Sequence, residues 1–397
     1  MSDTAGASST RPEGGRALGP GTGSSASGRG RTRRRRRRWA CGTGLAVAVA
    51  LLAAGGAGWA VYRKLEGNIT RDEAAAAELE RFERERPTAL VEDARNILLI
   101  GSDSRSGDGN ARYGRDSGTE RSDTVILLHL SADRRSATAV SVPRDLMVDV
   151  PGCRRPDGSR SEPMFTMFNS AFAVGGSACT IRTVERLTDI RVDHHVVVGF
   201  DGFKRMVDAV GGVEVCLREP VDDEDAELEL PAGRVTLDGE QALGYVRARK
   251  TLGDGSDTGR MERQQRFLGA LAHKVSGNDV LLNPVKLYPV LDAATSSLTT
   301  DPALASLRGL YELARALREI PTERVRFLTV PRRPYTGDPD RDQLAQPAAE
   351  ELFARLRTDR PVVIAPTARD PAPDGSPGGA SPAPTFSGNS AADAPCG

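Results

Sequence analysis

The sequence predicts an α/β domain, in which helices cover both faces of a central sheet, preceded by one transmembrane helix. Strand-like apolar runs alternate with helix-like segments throughout residues 93–362. This alternation is typical of α/β folds, and the stretch is long enough to bury a core of its own. Residues 39–62 contain no charged side chain and can cross the roughly 30 Å hydrocarbon core of a bilayer as a helix.

The residues around the apolar segment predict its orientation. The six arginines Arg33–Arg38 directly precede it, and under the positive-inside rule they keep the N-terminus in the cytoplasm and place the domain outside the membrane. Trp39, Trp59 and Tyr62 lie where interfacial aromatic residues are expected. A cleaved signal peptide is the alternative, but the segment is longer than a usual signal-peptide apolar region and has no clear cleavage site.

The net charge of zero is the sum of two parts of the chain with opposite net charge. Residues 1–64 carry 12 Lys+Arg against 2 Asp+Glu, which leaves 42 basic and 52 acidic residues for the rest. An exterior part with a net charge of −10 is a poor general binder of nucleic acid, so we expect no nucleic-acid partner. We interpret the arginine run as a topology signal that also attracts anionic lipid headgroups.

Composition divides the remaining chain. Residues 1–38, rich in Gly, Ser and Arg, are predicted to be a disordered cytoplasmic tail. Residues 63–92 are predicted to be a stalk built on a short charged helix that ends before Pro87. Residues 363–397, rich in Pro, Ala, Gly and Ser, are predicted to be a disordered tail.

Within the domain, strands are predicted where apolar runs of four to eight residues end in polar or glycine-containing turns. They are Asn96–Ile100, Thr124–Leu130, Ser136–Val142, Val196–Phe200, Val213–Leu217 and Val325–Val330. Two helices are predicted between them. One covers Phe168–Leu187 with an interruption near Gly175-Gly176, and the other covers Gly202–Val210, whose apolar residues recur on one face.

Unusual acidic and basic residues flank these strands. Asp103 and Arg105 follow the first strand, Arg121 and Asp123 precede the second, and Arg144 follows the third. Ligands of α/β sheets gather at strand ends, so we expect these residues to contribute to a site.

A second group of basic residues lies in Leu237–Gln265. On an extended segment, Arg247 and Arg249 point to the same side, and on a helix Arg260, Arg263 and Gln264 share one face. Converging guanidinium groups repel one another unless an anion lies between them, and their geometry matches phosphate. We therefore predict a phosphate or pyrophosphate site; the alternative is a set of solvated arginines paired with local acids.

Other kinds of active site are poorly supported. Ser102 and Ser104 follow a strand, but the G-x-S-x-G pattern of a nucleophile elbow is missing. The four histidines lack metal-binding spacing and are interpreted as structural. Cys153, Cys179 and Cys216 fall in the exterior domain, where a disulfide can persist. Cys153 follows the VPRDL strand and Cys179 lies on the next helix, so these two are the predicted disulfide pair; the alternative is three unpaired thiols.

Seven motifs in order resemble the LytR-CpsA-Psr family, also labelled cell envelope-related transcriptional attenuator. They are GSDSR, RSDTVILLHL, VSVPRDL, FNSAFAVGG, VGFDGFKRMVDAVGGVEV, LDGEQALGYVRARK and GRMERQQ. The resemblance covers roughly Asn96 to Leu271 and implies a mainly mixed central sheet in an α-β-α arrangement. One departure is Met167, which stands where the family often has Lys.

The resemblance also implies a function. Members of the family are membrane-anchored phosphotransferases that move a glycopolymer from a polyprenyl-pyrophosphate carrier to peptidoglycan during cell wall assembly. The polymer, whether teichoic acid, arabinogalactan or capsular polysaccharide, is left open. Hydrolysis of polyprenyl pyrophosphate needs the same groups and remains the main alternative. A transcriptional role has less support, because no helix-turn-helix is evident before the membrane segment.

The resemblance assigns roles to residues of this chain. Asp103 and Asp123 match acids that hold Mg²⁺, although oxygen ligands also suit Mn²⁺. The matching catalytic residues are Arg121, Arg144, Arg247, Arg249 and Asp257, the last as a candidate general base. The residues assigned to pyrophosphate binding are Arg105, Arg260, Arg263 and Gln264.

Overall fold

A computed structural model describes residues 29–103, 122–248, 257–276, 284–365 and 385–393. The chain divides between Val61 and Tyr62 into two units. The described helices are α1 (Arg29–Asn68), α2 (Glu73–Arg81), α3 (Ser170–Thr188), α4 (Phe200–Ala209), α5 (Gly239–Arg247), α6 (Asp257–Ser276), α7 (Pro284–Ser297), α8 (Leu307–Arg318) and α9 (Ala348–Arg357).

The described strands belong to one large sheet and several two-stranded ribbons. They are β1 (Thr70–Arg71), β2 (Arg95–Ser102), β3 (Ser122–Leu130), β4 (Ala137–Val142), β5 (Met147–Val150), β6 (Met164–Met167), β7 (His194–Gly199), β8 (Val213–Leu217), β9 (Val221–Asp223), β10 (Leu228–Leu230), β11 (Gly233–Leu237), β12 (Leu298–Thr300), β13 (Val325–Thr329), β14 (Arg332–Tyr335), β15 (Asp338–Leu344), β16 (Val363–Ile364), β17 (Thr385–Phe386) and β18 (Gly388–Ser390).

The large sheet is mixed, with strand order β1-β12-β7-β2-β3-β4-β13-β18. β2 pairs with β7 in parallel and with β3 antiparallel, whereas β4 pairs with β3 antiparallel and with β13 in parallel. The predicted fold class is therefore confirmed. All six predicted strands are present within two residues of their predicted ends, as β2, β3, β4, β7, β8 and β13.

Strand periodicity explains why helices cover both faces of the sheet. Successive strand residues point to opposite faces, so Leu98 enters one apolar cluster while its neighbour Ile97 enters another. The first cluster also contains residues of α2, α3 and α9. Partly buried residues of α6 and α8 pack against the second. A third cluster joins α4, α5 and the small strands β8–β11 to Phe267 of α6.

The break predicted in the first helix is present in α3. Gly175 and Gly176 have non-helical backbone angles, and Gly176 has a φ of 60°, which glycine adopts without the steric cost of a side chain. A Cβ on Gly175 would lie 2.8 Å from the Arg154 carbonyl oxygen and 3.0 Å from the Cys153 Cβ. The kink therefore lets the neighbouring loop approach closely, and Cys153 forms the predicted disulfide with Cys179.

The helix α1 contains the apolar segment. Its stretch Leu45–Asn68 is long and apolar enough to cross a membrane, and the helix begins at Arg29. The predicted disordered tail was therefore wrong for residues 29–38, because the helix continues upstream of the apolar segment. Residues 1–28 lie outside the described part of the chain.

The predicted stalk is part of the folded domain. Its helix is present as α2, but β1 extends the sheet next to β12, and Ala75 and Leu79 are buried in the main core. Arg86 forms a bidentate ion pair with the buried Glu185. Charged residues dominate this segment, and we therefore underestimated how much its few apolar residues contribute to packing.

The predicted C-terminal tail is also wrong where it is described. β16 pairs with β17, and β18 adds an antiparallel strand to β13. Phe386 is buried in the main core. The small and polar residues around these strands concealed short segments whose backbone hydrogen bonds complete the sheet.

A buried polar cluster fixes the start of the domain to its centre. The carboxylate of Asp72 caps α2 through the Ala75 amide and also accepts hydrogen bonds from Ser177 and His195. Burial acts to raise the pKa of Asp72, but these hydrogen bonds outweigh it and hold the pKa below its usual value.

We predict that Asp72 stabilises the fold only above acidic pH. Because its pKa is lowered in the folded state, its contribution is complete above the unfolded-state value and is lost as pH falls through the folded-state value. Denaturant unfolding of the wild type and of Asp72→Asn between pH 3 and 7 checks this. The stability difference between them should shrink toward the acidic end, and a constant difference would contradict the prediction.

Candidate functional site

The candidate site lies where β3 begins and β4 ends. β2 and β3 are antiparallel, with Ser102 opposite Ser122 and a register shift next to this pair. Asp103 follows the end of β2 directly, and Asp123 is the second residue of β3. The pairing therefore brings the two predicted metal ligands to the same end of the sheet.

Arg144 follows β4 at this end and is held by two carboxylates. Its Nη1 lies 3.1 Å from Asp123 Oδ1, and its Nε lies 3.2 Å from Asp145 Oδ2. The Arg144 side chain is mostly buried, at 18% exposed, which limits its conformational freedom. Two acids thus orient one arginine beside the predicted metal ligands.

The helix α6 supplies the opposite side of the site. Arg260 and Gln264 line a small cleft together with Asp123, Ser141 and Arg144. Arg260 is buried at 3% exposure. The i and i+4 spacing on a helix explains why these two side chains reach the same cleft, as the sequence analysis expected.

Arg263 and the Gln264 amide contact the end of α5. Arg263 Nη2 donates to the Ala248 carbonyl, and Gln264 Nε2 donates to the Val246 carbonyl at 3.1 Å. The last carbonyl groups of a helix lack partners within the helix, so these contacts satisfy them. Arg263 therefore has a structural contact in addition to its predicted role in pyrophosphate binding.

Arg247 is the last residue of α5 rather than part of an extended segment. The expected extended geometry is therefore wrong for this residue, because a capping box of Asp238 and Gln241 starts a helix that continues to it. The guanidinium of Arg247 lies 5.0 Å from the ring centroid of Phe200, within the range of a cation–π interaction. Phe200 begins α4 directly after β7.

Several predicted site residues fall outside the described residues. They are Arg105, Arg121 and Arg249. Asp257 begins α6, but its side chain is also outside the described part. Their assigned roles remain predictions.

Gln265 is a residue that sequence reasoning missed. It is 2% exposed, and its Nε2 donates to Ser141 Oγ at 3.0 Å and to Thr329 Oγ1 at 3.2 Å. These hydroxyl groups lie on the adjacent strands β4 and β13, so Gln265 fixes α6 across the sheet. The available signal was the pair Gln264-Gln265 at the end of GRMERQQ. Neighbouring residues of a helix point in different directions, so the two glutamines had to have different surroundings and different partners.

The carboxylates fit a hard divalent cation that takes part of its coordination shell from phosphate. Mg²⁺ is commonly held by one or two carboxylates together with water and phosphate oxygens, and Asp103 and Asp123 provide that number. Among the described residues, no group of three or more His, Cys, Asp and Glu side chains could hold a metal. A site made of these two acids alone would therefore depend on the substrate to complete it.

Comparison with known proteins identifies the family. The profile of the LytR_cpsA_psr family matches residues 65–358. This chain belongs to the LytR-CpsA-Psr family. The match begins close to where α1 ends, so it includes the segment that we had predicted to be a stalk.

Curated relatives and a solved structure agree with this membership. The chain is 38% identical to "Probable cell wall biosynthesis protein LcpB" of Corynebacterium glutamicum over 66% of this chain and 61% of the relative. It is 32% identical to the "Polyisoprenyl-teichoic acid--peptidoglycan teichoic acid transferase TagU" of Enterococcus faecalis over 54% of this chain and 64% of the relative. The aligned parts thus span somewhat less than two thirds of these relatives. The crystal structure of B. subtilis TagV is similar with a TM-score of 0.53 and 25% identity, over 67% of this chain and 96% of that one.

We predict that Gln265→Leu destabilises this LytR-CpsA-Psr protein by about 1–3 kcal/mol, because the variant leaves two buried hydroxyl groups without their amide donor. Chemical unfolding measures the change. Arg266→Leu is the matched control, since Arg266 is exposed on the same helix and its ion pair with Glu262 is solvated; this control should change stability by less than about 0.5 kcal/mol. An unchanged unfolding free energy in Gln265→Leu would contradict the proposed anchoring of α6.

Proposed function

We propose that this protein is a membrane-anchored phosphotransferase that moves a glycopolymer from a polyprenyl-pyrophosphate carrier to peptidoglycan. The observation that carries the proposal is the convergence of Arg144, Arg260 and Gln264 on one cleft beside Asp123. Membership of the family and the names of the relatives from C. glutamicum and E. faecalis support it.

The chemistry of the cleft suits phosphoryl transfer. That reaction needs charge neutralisation and in-line positioning more than it needs a protein nucleophile. Arginine forks bind phosphate oxygens in a bidentate manner, and Arg144 is already oriented by Asp123 and Asp145 before any ligand arrives. Such preorganised donors lower the cost of stabilising the charge that develops in the transition state.

We propose the following roles for the individual residues. Arg144, which follows β4, binds the pyrophosphate together with Arg247 of α5 and Arg260 of α6, and Gln264 contributes a polar contact. Arg121, Arg249 and Arg105 complete the basic set, and Asp257 acts as the general base for the acceptor hydroxyl.

We propose Mg²⁺ as the cofactor, held by Asp103 and Asp123. When bound, the ion would neutralise charge on the pyrophosphate oxygens. Asp123 would thus serve the ion as well as Arg144, with which it forms an ion pair.

The proposed location follows from the substrate. A polyprenyl carrier is confined to the membrane, and peptidoglycan lies outside it. We therefore propose that α1 anchors the protein with its N-terminus in the cytoplasm and the domain outside, as the arginines Arg33–Arg38 predict.

Hydrolysis of the pyrophosphate is the second candidate function, because water could attack the pyrophosphate in the same cleft.

An assay of the full-length protein in detergent micelles, with a polyprenyl-pyrophosphate-linked saccharide and Mg²⁺, separates transfer from hydrolysis. Formation of a phosphodiester-linked saccharide on a peptidoglycan oligosaccharide would support transfer. Release of free sugar phosphate at a rate indifferent to that acceptor would instead support hydrolysis.

We predict that Arg247→Ala lowers the transfer rate on the order of 10²–10³-fold, as for loss of a preorganised donor, while the fold stays intact. Steady-state kinetics and circular dichroism measure the two effects. Arg266→Ala is the control, because it removes an exposed arginine of α6 that does not line the cleft. Turnover of Arg247→Ala at the wild-type rate would refute the assignment.

We predict that Asp123→Asn raises the Mg²⁺ concentration needed for half-maximal activity by at least roughly 10–100-fold, because loss of a group that only supports a metal ligand already costs that much. Asp145→Asn is a matched control, since it also removes an ion pair of Arg144 but no proposed metal ligand. Equal Mg²⁺ dependence of the two variants would show that Asp123 acts only through Arg144.

A further inference from the structure

The residues that follow the apolar segment are packed into the domain. Leu65, near the end of α1, and Ile69, directly after it, are buried at 4% and 7% exposure. Both belong to the compact unit that begins at Tyr62 and contains the whole domain. Burial of apolar side chains is the main force that holds a fold together. The segment after Tyr62 is therefore a fixed part of the domain and not a flexible linker.

Polar contacts hold the same segment to α7. Lys64 Nζ donates to Tyr288 Oη at 2.9 Å and lies 3.0 Å from Asp292 Oδ1. Asn68 Nδ2 donates to Asp292 Oδ1 at 3.0 Å and to Thr295 Oγ1 at 3.4 Å. Residues nearer the start of α7 thus contact residues nearer the apolar segment. The start of α7 therefore points to the side on which the chain enters the membrane.

A further contact brings the start of α8 to the same place. Glu66 Oε2 accepts a hydrogen bond from the Leu307 amide at 2.8 Å, and Leu307 is the first residue of α8. The first amide groups of a helix lack partners within the helix and favour a carboxylate. Lys64, Glu66 and Asn68 form what we call the clamp, which fixes the point where the chain leaves the domain.

The position of the clamp sets the distance between the domain and the lipid. Arg63, Lys64 and Glu66 are the first charged residues after the apolar segment, and charged side chains avoid the hydrocarbon core. Glu66 lies four residues after Tyr62, or about 6 Å along a helix. The headgroup region on each side of a bilayer is about 5–7 Å thick. The start of α8 therefore lies at the level of the headgroups.

Two large exposed side chains lie next to the clamp. Leu291 directly precedes Asp292 and is 37% exposed, and Tyr311, about one helical turn after Leu307, is 66% exposed. Tyrosine is enriched at membrane–water interfaces, where its apolar ring and its hydroxyl group both find suitable surroundings. In water both side chains would stay uncovered, whereas the interfacial region of a bilayer would cover them.

We propose that the surface around the clamp, formed by the start of α8 and the exposed side of α7, rests on the headgroup region of the bilayer. This inference rests on the proposed anchoring by α1. Lipid is present at this level on every side of the helix that enters the membrane, so it is the partner that this surface meets first. The domain is thereby held at one height, at the level where the pyrophosphate of a polyprenyl carrier lies.

Hydroxyl-radical footprinting of the full-length protein tests this contact. The protein is placed in nanodiscs of phosphatidylethanolamine and phosphatidylglycerol, and the labelling rate of each residue is divided by its rate in the unfolded protein. Leu291 and Tyr311 should be labelled several-fold more slowly than their exposure predicts. Val363 is the matched control for Leu291, because it is also 37% exposed. It lies on β16, which contacts β18 at the opposite edge of the sheet from β1.

A flexible insertion distinguishes cover by lipid from cover by the protein. A Gly/Ser linker of about ten residues, inserted between Val61 and Tyr62, leaves the clamp intact but lets the domain move away from the bilayer. Labelling of Leu291 and Tyr311 should then rise several-fold, with no change at Val363.

Trp59 reports on the anchoring itself, because it lies in the apolar segment. Protection of Trp59 without protection of Leu291 and Tyr311 overturns the lipid contact and leaves the anchoring by α1 standing. Protection that the linker does not relieve also overturns the lipid contact, because the protein would then cover these side chains. Labelling of Trp59 as fast as in the unfolded protein would overturn the anchoring, and the lipid contact with it.

Discussion

The placement of α6 is the constraint on which the candidate site depends. Arginines that converge on one cleft repel one another, so the protein must hold them by contacts that do not involve the anion. Gln265 fixes α6 to two strands, and Arg263 and Gln264 fix it to the end of α5. Arg144 is held by acids on the other side. Positive charge is thus assembled in the absence of a ligand, at a cost in stability that the buried polar contacts offset.

Sequence patterns were sufficient for the centre of the sheet and for part of the site. Runs such as Thr124–Leu130 are mostly apolar because both faces of the strand are buried, and this made them easy to recognise. The spacing of Arg260 and Gln264 likewise indicated a shared helix face. These features depend on local periodicity, which a single sequence displays directly.

The predictions failed where long-range pairing decides the structure. β1 and β18 are two and three residues long, too short to show a period, and they exist because a neighbouring strand offers free backbone groups. Gln265 was missed for the same reason. Its hydrogen-bond partners, Ser141 and Thr329, lie more than 60 residues away in the sequence in either direction. Arg247 was predicted to be extended because the residues that start its helix, Asp238 and Gln241, lie at the opposite end of that helix.

The position of β18 has a consequence for the order of assembly. Its residues follow all other strands of the sheet in the chain, and they pair with β13 at the outer edge. During synthesis, β13 must therefore expose unpaired amide and carbonyl groups until Ser390 has emerged. An open sheet edge is a template for association with other chains. The nascent domain is thus most vulnerable to aggregation in the interval between completion of its hydrophobic core and arrival of its final strand.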